Sequence, residues 1–279
     1  MENKREIKLI VTDMDGTLFT TDKQITPRAR RAIKEARARG VRFTVATGRP
    51  RASLINILEE LEISEPVIIG NGAFIQDGEK YYHKEVMKDE DIRDVMQVAE
   101  DVGVAFYAFD ENLIYGVDNE VTRKTTAIWL ERAVSPTLKD CFRFFGTYDE
   151  VLAAVSGRTA KLLIFEMDLE LNAKARKALD ERCKVMAVNA EPHAIDISNV
   201  GVSKGNAIAE LGKILDIPVE NIMALGDGEN DKEMMSVAGL GVAMANAVPA
   251  TLAAADYVTL DNDSDGWAYA VEKFVLGEH

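Results

Sequence analysis

The sequence predicts an α/β protein: a Rossmann-like parallel-sheet core interrupted by an inserted α+β domain. Three observations lead there. Apolar runs of strand length alternate with helix-length amphipathic stretches at both ends of the chain. Between about residues 83 and 190 the texture changes to alternating strands that carry aromatics. The first apolar run, Ile7-Lys8-Leu9-Ile10-Val11-Thr12, opens straight into two carboxylates, Asp13 and Asp15. A buried parallel strand ordinarily continues into apolar surroundings, and the carboxyl ends of such strands are where ligands bind.

The elements follow in order. Thr26 and Pro27 form an N-cap and first-turn pair that opens a basic helix running to about Arg39, and Gly40 ends it. Val41 to Ala46 is the second strand and leads into Thr47-Gly48-Arg49-Pro50. A helix over about 52–61 precedes the strand Val67-Ile68-Ile69 and the turn Gly70-Asn71-Gly72. This βαβαβ order implies a right-handed parallel sheet.

The same grammar returns near the end. Ser203 caps a helix from about Lys204 to Leu215, and Asn221 to Leu225 is a strand leading into Gly226-Asp227-Gly228-Glu229-Asn230-Asp231. A helix to Ala238, a strand from Leu240 to Ala243, a helix near 249–254, the strand Tyr257-Val258-Thr259 and a helix over about 266–275 complete it. In between, strands around Phe106–Phe109, Phe142–Phe145 and Leu162–Phe165 are separated by helices at about 88–102, 118–130, 148–155 and 168–181. That mixture suits a mostly antiparallel α+β module. The expected division is a discontinuous core of residues 1–82 and 190–279 with 83–189 inserted. Trp129 and Trp267 stand in core contexts.

Composition narrows the function. The chain has 279 residues, 47% hydrophobic and 29% charged, which is enough for a packed core. A formal charge of −14 argues against a nucleic-acid partner, because phosphate backbones would be repelled. It leaves phosphorylated small molecules open, since a metal ion and a few local cations reverse the sign inside a pocket. No stretch reaches membrane-span length, and the charged start from Met1 to Lys8 has no apolar signal region behind it. Cys141 and Cys183 are too few for a disulfide framework or zinc site, so a reducing cytoplasm is the expected compartment.

At the strand ends a set of chemically related groups collects. Asp13 and Asp15 follow the first strand, Thr47 and Arg49 the second, and Asp227 and Asp231 a later one. Lys204 stands in the first turn of a helix, where the helix dipole is already positive. An anion between the lysine and the helix end makes sense of that placement. Each piece alone has an ordinary explanation, such as an Asx-turn, a β-turn or a solvated lysine. Together, in this order, they compose a phosphoryl-transfer site. A cation on hard carboxylate oxygens offsets the repulsion between phosphate and nucleophile. One carboxylate attacks phosphorus, a second moves the proton, and a lysine, a hydroxyl and loop amides hold the equatorial oxygens.

The four motifs Asp13-Met14-Asp15-Gly16-Thr17, Ala46-Thr47-Gly48-Arg49, Val202-Ser203-Lys204-Gly205 and Gly226-Asp227-Gly228-Glu229-Asn230-Asp231 resemble those of the haloacid dehalogenase superfamily, in its order. Gly70-Asn71-Gly72-Ala73 and the size of the insertion resemble its Cof-like sugar-phosphatase branch, in which the insertion is a cap. The resemblance implies a magnesium-dependent phosphatase acting on a small phosphorylated metabolite. It makes Asp13 nucleophile and metal ligand, Asp15 general acid/base and ligand through its backbone carbonyl, and Asp227 the third ligand. Met14 and Gly48 amides, Thr47, Lys204 and Asn230 would bind the phosphoryl group, and Asp231 would orient Lys204 or a metal-bound water. Arg49, Asn71 and His193 are possible substrate contacts. Asp196 departs from the branch, whose members usually carry Glu there.

Two other functions compete. A phosphomutase shares these motifs but would have to hold a bisphosphate, and no additional basic cluster is evident for it. A non-enzymatic phospho-accepting receiver also uses an acidic pocket with Thr and Lys. Receivers are under half this length and lack a counterpart of Asp15.

Overall fold

The computed structural model describes residues 6–132 and 138–277; the charged Met1–Arg5 segment of the start lies outside them. In chain order the elements are β1 (Leu9–Thr12), α1 (Pro27–Ala38), β2 (Arg42–Val45), α2 (Ile55–Glu60), β3 (Val67–Ile69), β4 (Phe74–Asp77) and β5 (Lys80–Lys84). Then come α3 (Asp89–Val102), β6 (Ala105–Phe109), β7 (Ile114–Val117), α4 (Glu120–Arg132), β8 (Phe142–Phe145), α5 (Tyr148–Val155) and β9 (Lys161–Phe165). They are followed by α6 (Leu169–Arg182), β10 (Met186–Glu191), β11 (Ala194–Ser198), α7 (Lys204–Leu215) and β12 (Ile222–Gly226). The last are α8 (Lys232–Val237), β13 (Leu240–Ala243), α9 (Pro249–Ala254), β14 (Tyr257–Val258) and α10 (Gly266–Val271). The chain forms two compact units. One comprises 1–47, 57–83 and 203–279, the other 48–56 and 84–202.

The first unit is built on a five-stranded parallel sheet in the order β14-β13-β12-β1-β2. Alternate residues of its central strands face opposite layers, as the pleat requires. Leu9, Val11, Ile222 and Ala224 pack with Ile208 and Leu211 of α7 and Met234 and Met235 of α8. On the opposite side Phe43 meets Trp267 of α10 edge-on at 5.8 Å, and the indole Nε1 donates to Thr12 Oγ1 at 2.9 Å. The chain leaves β1 toward β2 on one side and leaves β12 toward β13 on the other. The switch in direction therefore falls between β1 and β12, which opens a crevice beyond their carboxyl ends.

The third strand lies parallel beside the end of β2 and also joins a second sheet. Ala46 and Ile68 form a parallel bridge and the Thr47 amide donates to Ile68 O at 2.9 Å, while β3 pairs antiparallel with β4 in a β3-β4-β5 sheet. The cause is local. Gly70, Asn71 and Gly72 all have positive φ, at 59°, 58° and 106°, and turn the chain back after three strand residues.

The second unit holds a six-stranded sheet in the order β10-β11-β9-β6-β7-β8, antiparallel except for β7 with β8. One face packs Phe106, Ile164 and Ile195 against Ile92 and Val95 of α3, Val151 of α5 and Ala175 and Leu179 of α6. The other carries an aromatic cluster in which Trp129 of α4 lies 5.3 Å from both Tyr107 and Phe142. Lys161 and Asp196 are buried there as an ion pair at 2.5 Å. The expected boundary near residue 189 falls inside β10, which pairs with β11 in this same sheet.

Candidate active site

β1 is buried along its whole length, and its ladder with β12 runs one residue further, where the Asp13 amide donates to Leu225 O at 2.9 Å. Asp13 is therefore delivered at a fixed height beyond the sheet. The chain then makes a single wide turn over Met14–Leu18, closed by the Phe19 amide on Met14 O at 2.8 Å. Gly16 sits in that turn at φ 78°, where a Cβ would lie 2.3 Å from Asp227 Oδ2. Only glycine fits both the backbone and the space. The close approach lets the Thr17 hydroxyl donate to Asp227 Oδ1 at 2.6 Å.

α7 supplies the cation. Ser203 caps it, accepting the Asn206 amide at 3.1 Å, and Lys204 follows as the first helical residue, fully buried. Its Nζ lies 2.5 Å from Asp13 Oδ1 and 2.6 Å from Asp231 Oδ1. Two carboxylates thus compensate an ammonium that the helix dipole alone would repel. The other Asp231 oxygen accepts the amides of Asp227 and Gly228, each at 2.9 Å, so this residue ties the loop after β12 to the lysine. Gly72 presses against the α7 start, its missing Cβ 2.3 Å from Ser203 O.

The charges do not balance. Asp13, Asp227 and Asp231 bring carboxylate oxygens within 4.8 Å of one another, against the one ammonium of Lys204. Burial, opposed by Lys204 and reinforced by Asp231, Asp227 and Asp15, holds the Asp13 carboxyl well above the ordinary aspartate value. Burial and Asp231 push Asp227 up to about 7. Burial works against the charge on Lys204, but Asp13 and Asp231 outweigh it and raise its proton affinity, so the ammonium persists. Fully ionised, the three carboxylates would exceed Lys204 by two negative charges, and hard oxygens with that charge suit a divalent cation such as magnesium. Asp13 and Asp227 are the better-placed donors among the three, because Asp231 spends its oxygens on Lys204 and two amides.

The remaining residues from the sequence fall in two groups. Thr47 is buried at the end of β2, and its backbone oxygen accepts the Asn71 amide at 3.0 Å. Asn230 Nδ2 donates to Asn71 Oδ1 at 3.1 Å. Met14 is buried beside Asp13. Asp15 faces Lys23, with Nζ at 2.8 Å from Oδ1. Gly48 and Arg49, by contrast, open the 48–56 segment of the second unit, and His193 belongs to that unit too. His193 lies between β10 and β11, its carbonyl accepting the Glu166 amide at 2.9 Å.

Sequence reasoning assigned no role to Thr17, Lys23 or Asn246. Asn246 Nδ2 donates to Gly16 O at 2.9 Å and lies 3.5 Å from Asp227 Oδ2, so it braces both sides of the crevice. Its signal was available: it follows the carboxyl end of β13 by three residues, where polar side chains deserve suspicion.

The chain is similar to known proteins. Residues 10–271 match the model of the haloacid dehalogenase-like hydrolase family. A Streptococcus pyogenes serotype M6 protein named as a phosphatase is 34% identical over 277 residues, covering 97% of this chain and 99% of its own. Phosphatase YwpJ of Bacillus subtilis is 30% identical, with 95% and 99% covered. Among solved structures, the subclass IIB sugar phosphatase BT4131 superposes with a TM-score of 0.81 at 28% identity, covering 96% and 98%. The sequence, the fold and the crevice between β1 and β12 agree: this chain belongs to the haloacid dehalogenase-like hydrolases and is a phosphoric monoester hydrolase of the Cof-like branch.

Proposed function

We propose that the protein is a magnesium-dependent phosphatase of small phosphate monoesters, sugar phosphates foremost, working through a phosphoaspartate at Asp13. The observation that carries this is the buried Asp13–Lys204–Asp231 bridge at the carboxyl ends of β1 and β12. A lysine held between a strand-end carboxylate and a loop carboxylate has little structural purpose, since burying ions costs as much as pairing returns. It has a clear chemical one, which is to hold a phosphoryl oxygen beside the attacking carboxylate.

In this reading Asp13 attacks phosphorus and Asp15 gives a proton to the departing alkoxide, then takes one from the water that cleaves the acyl phosphate. Thr47, Lys204, Asn230 and the amides of Met14 and Gly48 hold the transferring group, and Asp231 keeps Lys204 in place. Asp13, Asp227 and the Asp15 carbonyl would hold the magnesium ion, which neutralises their charge and withdraws density from the phosphoryl group when bound. Sugar phosphates are favoured because BT4131, alike in fold along nearly its whole length, is a sugar phosphatase. Arg49, Asn71 and His193 are proposed substrate contacts, and residues 83–189 a specificity-setting cap. The small phosphorylated metabolite is the expected partner, and the cytoplasm the expected compartment.

The test is phosphate release from p-nitrophenyl phosphate and from a panel of sugar phosphates, with magnesium and with chelator. Turnover should need the metal and be abolished by Asp13→Asn, because an amide is not a usable nucleophile. Near-normal turnover in Asp13→Asn would exclude the phosphoaspartate.

A further inference from the structure

The turn after the nucleophile loop presents an ammonium group that none of the steps above uses. Lys23 Nζ sits 2.8 Å from Asp15 Oδ1, with side chains 27% and 31% exposed. The backbone around it is shaped for that contact. Lys23 itself is left-handed, at φ 58°. The Lys23 amide donates to Thr20 O at 2.8 Å, the Thr20 amide to Gln24 O at 2.9 Å, and the Gln24 amide to Thr20 Oγ1 at 3.0 Å. The same turn is pinned from the far end of the chain. Thr21 donates to Asp263 twice, from its amide and its hydroxyl, each at 2.7 Å, and Asn262 Nδ2 donates to Phe19 O at 3.0 Å.

Stability does not account for this construction. An ion pair this exposed contributes little. The left-handed conformation of a residue with a Cβ costs about as much. A lysine serving only solubility needs neither the strain nor the anchors, and strained backbone of this kind gathers at functional sites.

We propose that Lys23 is a positioning residue for Asp15. The inference rests on the assignment of Asp15 as the acid/base above. Gripping one carboxylate oxygen fixes the torsion of the group, so the proton is carried on the other oxygen at a set distance from the ester. Misplacement by about 1 Å can cost about 100-fold in rate. Lys23 acts through Asp15, touching neither the phosphoryl group nor the metal.

The experiment compares Lys23→Met, Lys23→Arg, Asp15→Asn and the double variant Lys23→Met/Asp15→Asn in the full chain with magnesium. Two substrates separate the roles: p-nitrophenyl phosphate, whose leaving group departs without a proton, and ribose 5-phosphate or whichever alkyl phosphate the panel ranks first. Lys23→Met should lower kcat/KM on the alkyl ester by about 10-fold or more through kcat, and change kcat/KM on the aryl ester, whose attack step needs no leaving-group proton, by under about threefold. Lys23→Arg should restore most of the loss, and Lys23→Met should add nothing in the Asp15→Asn background. Equal losses of kcat/KM on both esters, additivity with Asp15→Asn, or an effect on KM alone would each overturn the proposal. If Asp15→Asn impairs the alkyl ester and Lys23→Met does not, only the role of Lys23 fails. If the unaltered enzyme releases phosphate from no ester, the phosphatase reading fails instead.

Discussion

Burial and the neighbouring Asp231 carboxylate push Asp227 from the ordinary aspartate value of 3.8 up to about 7, against the opposing hydrogen bond from Thr17. A folded-state value above the unfolded one means the native protein binds a proton that the unfolded chain has released. The stability this contributes is complete below about pH 4 and is lost as pH rises through about 7. In chelator, the thermal midpoint should therefore fall as pH rises from about 4 to about 7, with Asp13, raised in the same direction, adding to the fall. Magnesium should remove much of that fall, since it binds the ionised carboxylates. Asp227→Asn should both lessen the fall in chelator and abolish the rescue. A midpoint independent of pH in chelator would contradict the charge imbalance argued above. At this scale the sequence is legible wherever a polar side chain interrupts an apolar run: Asp13, Thr47 and Asp227 end strands, and Lys204 opens a helix. Lys23 was not legible, because in a turn of Thr, Asp and Gln it looks like any solvated lysine until the fold places Asp15 beside it.

Among the elements, α1, α7, β13 and α9 lie where their caps and apolar runs put them, because local signals and tertiary packing agree there. β3 lies where the sequence puts it and bridges in parallel to Ala46, but its second, antiparallel partner β4 was not legible, since the positive φ values over Gly70–Gly72 that fold the chain back are not written in an apolar triplet. β7, β10 and the β4–β5 pair went unread. Their residues alternate weakly or sit on exposed edges, so periodicity carries little signal. The turn over Met14–Leu18 yields a sharper prediction. Gly16→Ala forces a Cβ into the Asp227 carboxylate at a backbone angle alanine avoids. It should destabilise the fold by about 1–3 kcal/mol and reduce kcat by displacing Asp13 and Asp227 from each other. Calorimetry and kinetics on one preparation check both, and wild-type kcat in Gly16→Ala would show that the turn tolerates a side chain.

For the whole molecule, every group given a chemical role, apart from the Gly48 amide, belongs to the unit built on the parallel sheet. The second unit spans 84–202 together with 48–56, and substrate choice is the role proposed for it. Replacing 84–202 by a short linker should leave slow, magnesium-dependent release of phosphate from p-nitrophenyl phosphate and flatten the ranking of sugar phosphates. Retention of the parent ranking would place specificity in the parallel-sheet unit. The sheet order also bears on how the chain is made. β1 is flanked by β2 and β12, and β12 begins more than 200 residues later. At synthesis rates of about 5–20 residues per second, the first strand waits roughly 10–40 s for its second neighbour. Asp227 follows β12, so throughout that interval Asp13 lacks it, and on the proposed mechanism chains truncated before residue 226 should release no phosphate. The segment most exposed to misassembly during that wait is Leu9–Thr12, the apolar strand that ends up between β2 and β12. Chaperone engagement of ribosome-bound chains should accordingly peak before residue 226 emerges and collapse after it.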